Sequence, residues 1–289
     1  MNFLYLFLAM SFSAMITVGG RLYNTKNIHR RSISKLYSLL TPLAAALFWL
    51  VLWIFDFSFE LKVLPYAFLY GVFYTLFTIG MLSALKYGST SLTALIKQVS
   101  LVGVSFWGFI FWDTSLTLIG GIGIVLILVS ISLCLLTGEE KNETRSLPKW
   151  ALFALMITVG NAGCSITQRY QQDAFNYEHK NMLMFFGVLF SAIFCLLLTL
   201  RDDKSDWRAA IKSSWVFPAI AGAGSVFCNV FILLMVKNQL SPAILYPGVA
   251  VGGLMLTVII SLLFFREKLR PMQILGLTVG AVALVLLNL

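Results

Sequence analysis

Acidic residues are scarce in this chain: 12 Asp and Glu stand among 289 residues, against 21 Lys and Arg. Charged residues together make up 11%, where a soluble domain of this size carries roughly a quarter. That shortage excludes an ordinary water-soluble globule. Cysteine is also sparse. Cys134, Cys164, Cys195 and Cys228 fall inside apolar stretches at spacings that fit no zinc site, and no pair lies in an exposed loop, so they read as small packing residues. The only histidines, His29 and His179, lie between apolar runs, and there is no His-Glu-x-x-His. The chain also lacks the Gly-x-x-x-x-Gly-Lys-Ser/Thr loop that cradles nucleotide phosphates, so it does not power itself with ATP. No cofactor or metal motif is present, and the enzyme classes these patterns mark find no support.

Apolar side chains fill the space left: 59% of residues are hydrophobic and the mean hydropathy is +0.89. They come in uninterrupted runs near the length of about 20 residues that a helix needs to cross the hydrocarbon of a bilayer. A membrane β-barrel would instead alternate in segments of about ten residues. Helices alone satisfy every backbone group within such runs in lipid. The net charge of +9 would suggest nucleic acid in a soluble chain. Here the basic residues flank the apolar runs, so membrane orientation accounts for them and no nucleic-acid partner is expected.

Ten spans are expected, at 3–20, 37–57, 64–85, 91–112, 115–137, 150–168, 181–200, 214–236, 242–265 and 271–288. The first is read as a retained helix, because no small-residue cleavage site separates it from the second. Residues 138–149 form a polar linker, dividing the chain into a first unit at 1–137 and a second at 150–289. The units repeat each other. Lys86-Tyr87-Gly88-Ser89-Thr90 aligns with Lys237-Asn238-Gln239-Leu240-Ser241, and Gly71 with Gly222, at an offset of about 151 residues. Arg21 aligns with Arg169 at about 148. Five spans per unit is an odd number, so the halves must insert upside down relative to each other. The fold expected is therefore an all-α polytopic membrane protein of ten transmembrane helices in two inverted five-helix repeats.

Loop charges orient it. The loops after spans 1, 3, 5, 7 and 9 hold sixteen Lys and Arg, and the other loops hold four: Lys62, Arg169, Lys180 and Lys237. The positive-inside rule then puts the sixteen in the cytoplasm and both termini outside a cell membrane.

Each unit also carries an acidic residue (Asp113, Glu267) before its glycine-bearing last span, and the second unit ends in "FFREKLRPMQILGLTVGAVALVLL". With Glu267, Leu269, Gln273 and Gly276 in that ending, the whole chain resembles the drug/metabolite transporter superfamily, its EamA-like branch in particular. The resemblance implies ten helices and carriage of a small organic solute, in a family whose solutes range from amino acids and sugar phosphates to quaternary amines.

Lys97 stands out as a charge inside a span, in "STSLTALIKQVSLVG". Insertion there costs at least about 2.5–3.5 kcal/mol, so such a residue faces a cavity or a partner. Thr93, Lys97 and Ser100 share one helix face, with Gln98 beside them. Either Lys97 binds an anionic part of the solute or carries a proton, or it snorkels to the nearer interface. Ser100 is close enough in sequence to act with it as nucleophile and base by spacing alone. Further polar stripes match between the units: Ser13 and Thr17 align with Asn161 and Ser165, which Gln168 continues, and Tyr74 and Thr78 align with Ser225 and Asn229. Small polar residues also join membrane helices with no transport role.

Span 9 contains Pro247-Gly248, where proline removes a backbone hydrogen bond and supplies a candidate hinge, with Tyr246 beside it. Trp49, Trp53, Trp107, Trp112, Trp150 and Trp215 lie near span ends, as an interfacial belt would place them.

The candidate substrate-binding set is thus Lys97, Gln98, Tyr74, Thr78, Asn161, Gln168, Asn229 and Tyr246, with Pro247 and Gly248 as hinge. The expected function is alternating-access transport of a small organic solute, biased by Lys97 toward an anionic or zwitterionic metabolite. An exporter of lipophilic or quaternary cations and a non-transporting scaffold subunit are the alternatives. The partners expected are that solute and the lipid bilayer; the sequence specifies no coupling ion.

Overall fold

A computed structural model describes residues 2–27, 33–88, 90–111, 118–136, 147–176, 178–200, 204–238, 242–266 and 269–287. The helices are α1 (Asn2–Lys26), α2 (Ile33–Phe55), α3 (Leu64–Tyr87), α4 (Thr90–Phe111), α5 (Leu118–Leu136), α6 (Leu147–Ala174), α7 (Lys180–Leu198), α8 (Trp207–Ser214), α9 (Val216–Lys237), α10 (Pro242–Phe264) and α11 (Pro271–Leu287). A single 3₁₀ turn, Leu61–Val63, precedes α3. Among the described residues there is no strand. Among the described residues five helices, α1, α2, α3, α6 and α7, are long and apolar enough to cross a membrane, and α8 with α9 makes a sixth if that bent pair is one span. The chain is an all-helical, multi-pass membrane protein.

Helices lie where the spans are expected, but several ends differ. α1 runs to Lys26 and α6 to Ala174, each beyond the apolar run, because their polar ends are held by side-chain hydrogen bonds and helix geometry does not stop where hydrophobicity does. The expected linker gives up Leu147–Lys149 to α6, where Pro148 sits in the first turn, a place that leaves no intrahelical bond unmade. The polar segment before span 8 folds into α8, which the hydrophobic pattern alone does not announce. Asp113 and Glu267 lie outside the described residues.

Helix starts follow local chemistry. At α11, Pro271 takes the first position, and the Gln273 side-chain oxygen accepts from the Arg270 backbone N–H at 3.0 Å. This is one arm of a capping box. Downstream, Gly276 O accepts from Ser130 Oγ of α5 at 2.6 Å, joining α5 to α11.

Packing brings the two halves of the chain together rather than keeping them apart. α1 lies along α9 and α10, while α6 lies along α3 and α4. α2 packs on α7 and α9, and α3 on α7; α5 and α11 pair with each other, and α4 touches α10. Glycines set the closest approaches. A Cβ on Gly71 would stand 2.8 Å from Gly187 O of α7, and one on Gly222 would stand 2.7 Å from Thr41 O of α2. Small residues that admit a neighbouring backbone in this way are how membrane helices gain contact without a hydrophobic driving force.

The tryptophans do not form one belt. Trp49 and Trp150 are 1% and 3% exposed and belong to the interior. Trp150 fills the space left by Gly88. Trp107 and Trp215 are exposed as expected, and Trp53 stacks on Phe185 while donating to Ser58 O. Trp112 lies outside the described residues. Cys164, Cys195 and Cys228 are buried free thiols.

Candidate functional site

The residue that costs most to bury lies among α1, α4 and α6. Lys97, on α4, is 7% exposed, and its Nζ donates to both Ser13 O and Ser13 Oγ of α1 at 2.9 Å. Its ammonium therefore ends against the middle of α1. Among the described residues no carboxylate pairs with it. A buried charge held only by neutral oxygens keeps much of its desolvation penalty uncompensated.

Two more side chains tie α4 to α6 at the same level. Asn161 Nδ2 donates to Ser100 Oγ at 2.5 Å and to Lys97 O at 3.3 Å, and Ser100 Oγ donates to Lys97 O at 2.6 Å. Ser100 thus bonds the Lys97 backbone and not its amine, so the nucleophile–base pair suggested by spacing is not formed. One helical turn along α1 from Ser13, Thr17 Oγ1 is buried without a hydrogen-bond partner among the described residues. A hydroxyl left so is costly, at about 1–3 kcal/mol.

A second polar group lies between α3 and α9. Tyr74 OH donates to Ser225 Oγ at 3.3 Å, and Asn229 Nδ2 donates to Ser225 O at 2.8 Å. Thr78 Oγ1 donates to Tyr74 O at 3.0 Å, and Tyr70 stacks on Tyr74 with ring centroids 5.9 Å apart. Tyr74 and Ser225 are 151 residues apart, the repeat offset, so two positions that correspond between the units touch each other.

Of the expected site residues, the structure joins Lys97 with Asn161 and Tyr74 with Thr78 and, through Ser225, Asn229. Gln168 is half-buried on α6 with no hydrogen bond to either group among those described. The side chains of Gln98, Tyr246 and Pro247, and the burial of Gly248, lie outside the described residues. α10 is helical across 242–264, the Pro247-Gly248 pair included.

Sequence reasoning passed over one cluster. Arg21 Nη1 donates to Leu85 O at 2.8 Å and Asn24 Nδ2 to Leu82 O at 3.0 Å, fastening the end of α1 to the end of α3. The available signal was the alignment of Arg21 with Arg169, and of Asn24 with another amide, Gln172.

No curated protein matches the chain in sequence. Among solved structures 24 chains match. One, described only as the crystal structure of a protein, is similar with a TM-score of 0.64 over 98% of this chain and 94% of its own, at 13% identity. That likeness concerns the fold. A family of sugar transport proteins matches residues 30–288. An all-helical membrane architecture and a match across nearly the whole chain lead to one conclusion: this protein belongs to the sugar transport protein family of membrane transporters.

Proposed function

We propose that the protein is an alternating-access carrier for a small, hydroxyl-rich solute, and that Lys97 favours a solute bearing a carboxylate or phosphate, such as a sugar acid. The observation that carries this reading is the buried Ser13–Lys97–Ser100–Asn161 group across α1, α4 and α6. It offers an ammonium, an amide and hydroxyls, the Thr17 hydroxyl nearby having no partner. Sugar hydroxyls need such donors and acceptors, and an acidic sugar would supply the counter-charge that Lys97 lacks. The family's description as sugar transport proteins supports the solute class. The drug/metabolite transporter resemblance, in its EamA-like branch, supports the same architecture.

The two halves are read as inverted repeats. Exchanging α1–α5 with α6, α7, α9, α10 and α11 turns the α1–α9 pair into α6–α3, α1–α10 into α6–α4, and α3–α7 into α9–α2, and every one of these pairs is packed. The Gly71–α7 and Gly222–α2 approaches exchange likewise, and the Tyr74–Ser225 contact joins positions that correspond between the halves. In this reading the Arg21–Asn24 latch closes one face, and Arg169 with Gln172 closes the other after the halves rock. The loop charges place the Arg21 face in the cytoplasm and both termini outside. The buried ammonium disfavours a lipophilic cation as cargo, because like charges repel most where water is excluded.

Uptake into proteoliposomes of radiolabelled neutral hexoses, hexonates, hexose phosphates and quaternary amines tests the reading. Hexonate or hexose-phosphate transport that Lys97→Ala lowers by about ten-fold or more supports it. Transport of neutral hexoses equally by both proteins removes Lys97 from the site. Transport of amines alone, or of nothing by a folded protein, returns the cation exporter or the scaffold.

A further inference from the structure

The short helix α8 has no place in the ten-span plan, yet its surface is divided by chemistry. It meets α9 at a 63° bend, so its axis turns well away from that of the apolar helix that follows. One side is pinned to the protein. Ala210 and Ser214 are buried; Asn27 Nδ2 donates to Ser214 Oγ at 3.1 Å, and Lys26 Nζ donates to Ser213 O at 2.6 Å. Turning around the helix at about 100° per residue, the next stripe is Trp207, Ile211 and then Trp215. Ile211 is 39% exposed and Trp215 57%. Beside that stripe, at i and i+4, come Arg208 and Lys212, both exposed and neither ion-paired among the described residues. An apolar stripe bordered by paired basic residues, joined to a transmembrane helix, is the layout of a helix lying in the headgroup layer.

We propose that α8 is an interfacial helix whose Arg208–Lys212 pair binds the phosphates of acidic phospholipids while Ile211 and Trp215 enter the upper acyl region. The occupant is lipid and not a protein partner because α8 leads directly into the 22-residue apolar helix α9. Its apolar stripe therefore meets the bilayer without any other molecule being needed, and the basic pair meets headgroups of opposite charge. Each basic residue beside an anionic surface strengthens binding about five-fold, so the pair contributes roughly 30-fold. Since Lys26 and Asn27 fasten α8 to the end of α1, lipid bound here sits against the helix that carries Ser13.

The test uses the full chain in detergent, titrated with phosphatidylglycerol, with phosphatidylcholine and with inorganic phosphate, reading the melting temperature. Phosphatidylglycerol should stabilise the protein, with an apparent affinity lowered roughly 30-fold in Arg208→Gln/Lys212→Gln and unchanged in Lys62→Gln. An affinity unaltered by the double variant, or matched by phosphatidylcholine or by inorganic phosphate, overturns the proposal. Should the double variant fold poorly, a second measurement decides. Chain-brominated lipid should quench a Trp emission component that Trp215→Phe removes, and the absence of such a component overturns the interfacial placement.

Discussion

The ends of α1 and α6 carry the same residue types and use them differently. At the end of α1, Arg21 and Asn24 reach across to the last carbonyls of α3, and α1 packs against α3. A guanidinium at helix-terminal carbonyls satisfies groups the helix cannot satisfy itself and meets the negative end of its dipole. At the end of α6, Arg169 lies 3.6 Å from Asp173 of its own helix, the two side chains being 58% and 46% exposed. The first end is latched between helices, and the second carries an ion pair along its own helix. With the proposed inverted repeats, this difference is what a carrier closed on the Arg21 face would give. The lesson is that asymmetry between equivalent residues carries the conformational information, while their equivalence carries the architecture.

The largest asymmetry is the charge. By the 151-residue offset, Lys97 corresponds to Gly248, so only the first half places an ammonium against its opposing helix. Hydrogen bonds to charged groups contribute about 1.5–3 kcal/mol, and Lys97→Ala should therefore lower hexonate uptake by roughly 10- to 150-fold. Gly248→Ala, tested beside it, should lower uptake far less. Equal losses from both would break the claim that the site is one-sided.

Next comes the latch. Arg21→Ala with Asn24→Ala removes two donors from α3, and a cysteine placed at the buried Leu85 should then react at least about ten-fold faster with an impermeant maleimide. Arg169→Ala with Gln172→Ala should leave that rate unchanged, since those residues serve the opposite face. A rise in both would mean general loosening and no latch.

The equivalence itself is tested by the glycines. Gly71→Ala and Gly222→Ala each force a methyl group toward a backbone oxygen, at 2.8 and 2.7 Å, and should each destabilise by about 1–3 kcal/mol. Melting temperatures should fall by similar amounts, and tolerance of one but not the other would break the symmetry. The smallest effect is expected at the periphery: Ser130→Ala, which loses its bond to Gly276 O, should cost about 0.6 kcal/mol.

Much of the architecture is legible in the sequence because bilayer length and backbone hydrogen bonding leave helices as the only solution for runs of that composition. The correspondence of Tyr74 with Ser225 is also legible, although alignment does not say that the two meet. What escapes is whatever depends on register between helices. The bond from Lys97 to Ser13 is set by how α4 crosses α1, and no periodicity within α4 contains that information. The long ends of α1 and α6 escape for a related reason, since Arg21 and Asn24 look like loop residues until the carbonyls of Leu82 and Leu85 are beside them. Trp49 and Trp150 near span ends read as interfacial, yet helix packing buries them. The helix α8 is too short to span and too basic to read as core, so only its bend against α9 reveals it.

The central claim, that the two faces open in opposition, is tested most directly by paired distances in lipid vesicles. Spin labels at Thr25 and Lys86 report the Arg21 face, and labels at Asp173 and Asn238 report the other. Introducing Arg21→Ala with Asn24→Ala should lengthen the first distance and shorten the second, because releasing one face lets the other close. Lengthening of the first with no change in the second would mean that the latch only holds two helix ends together, and would contradict the alternating-access account.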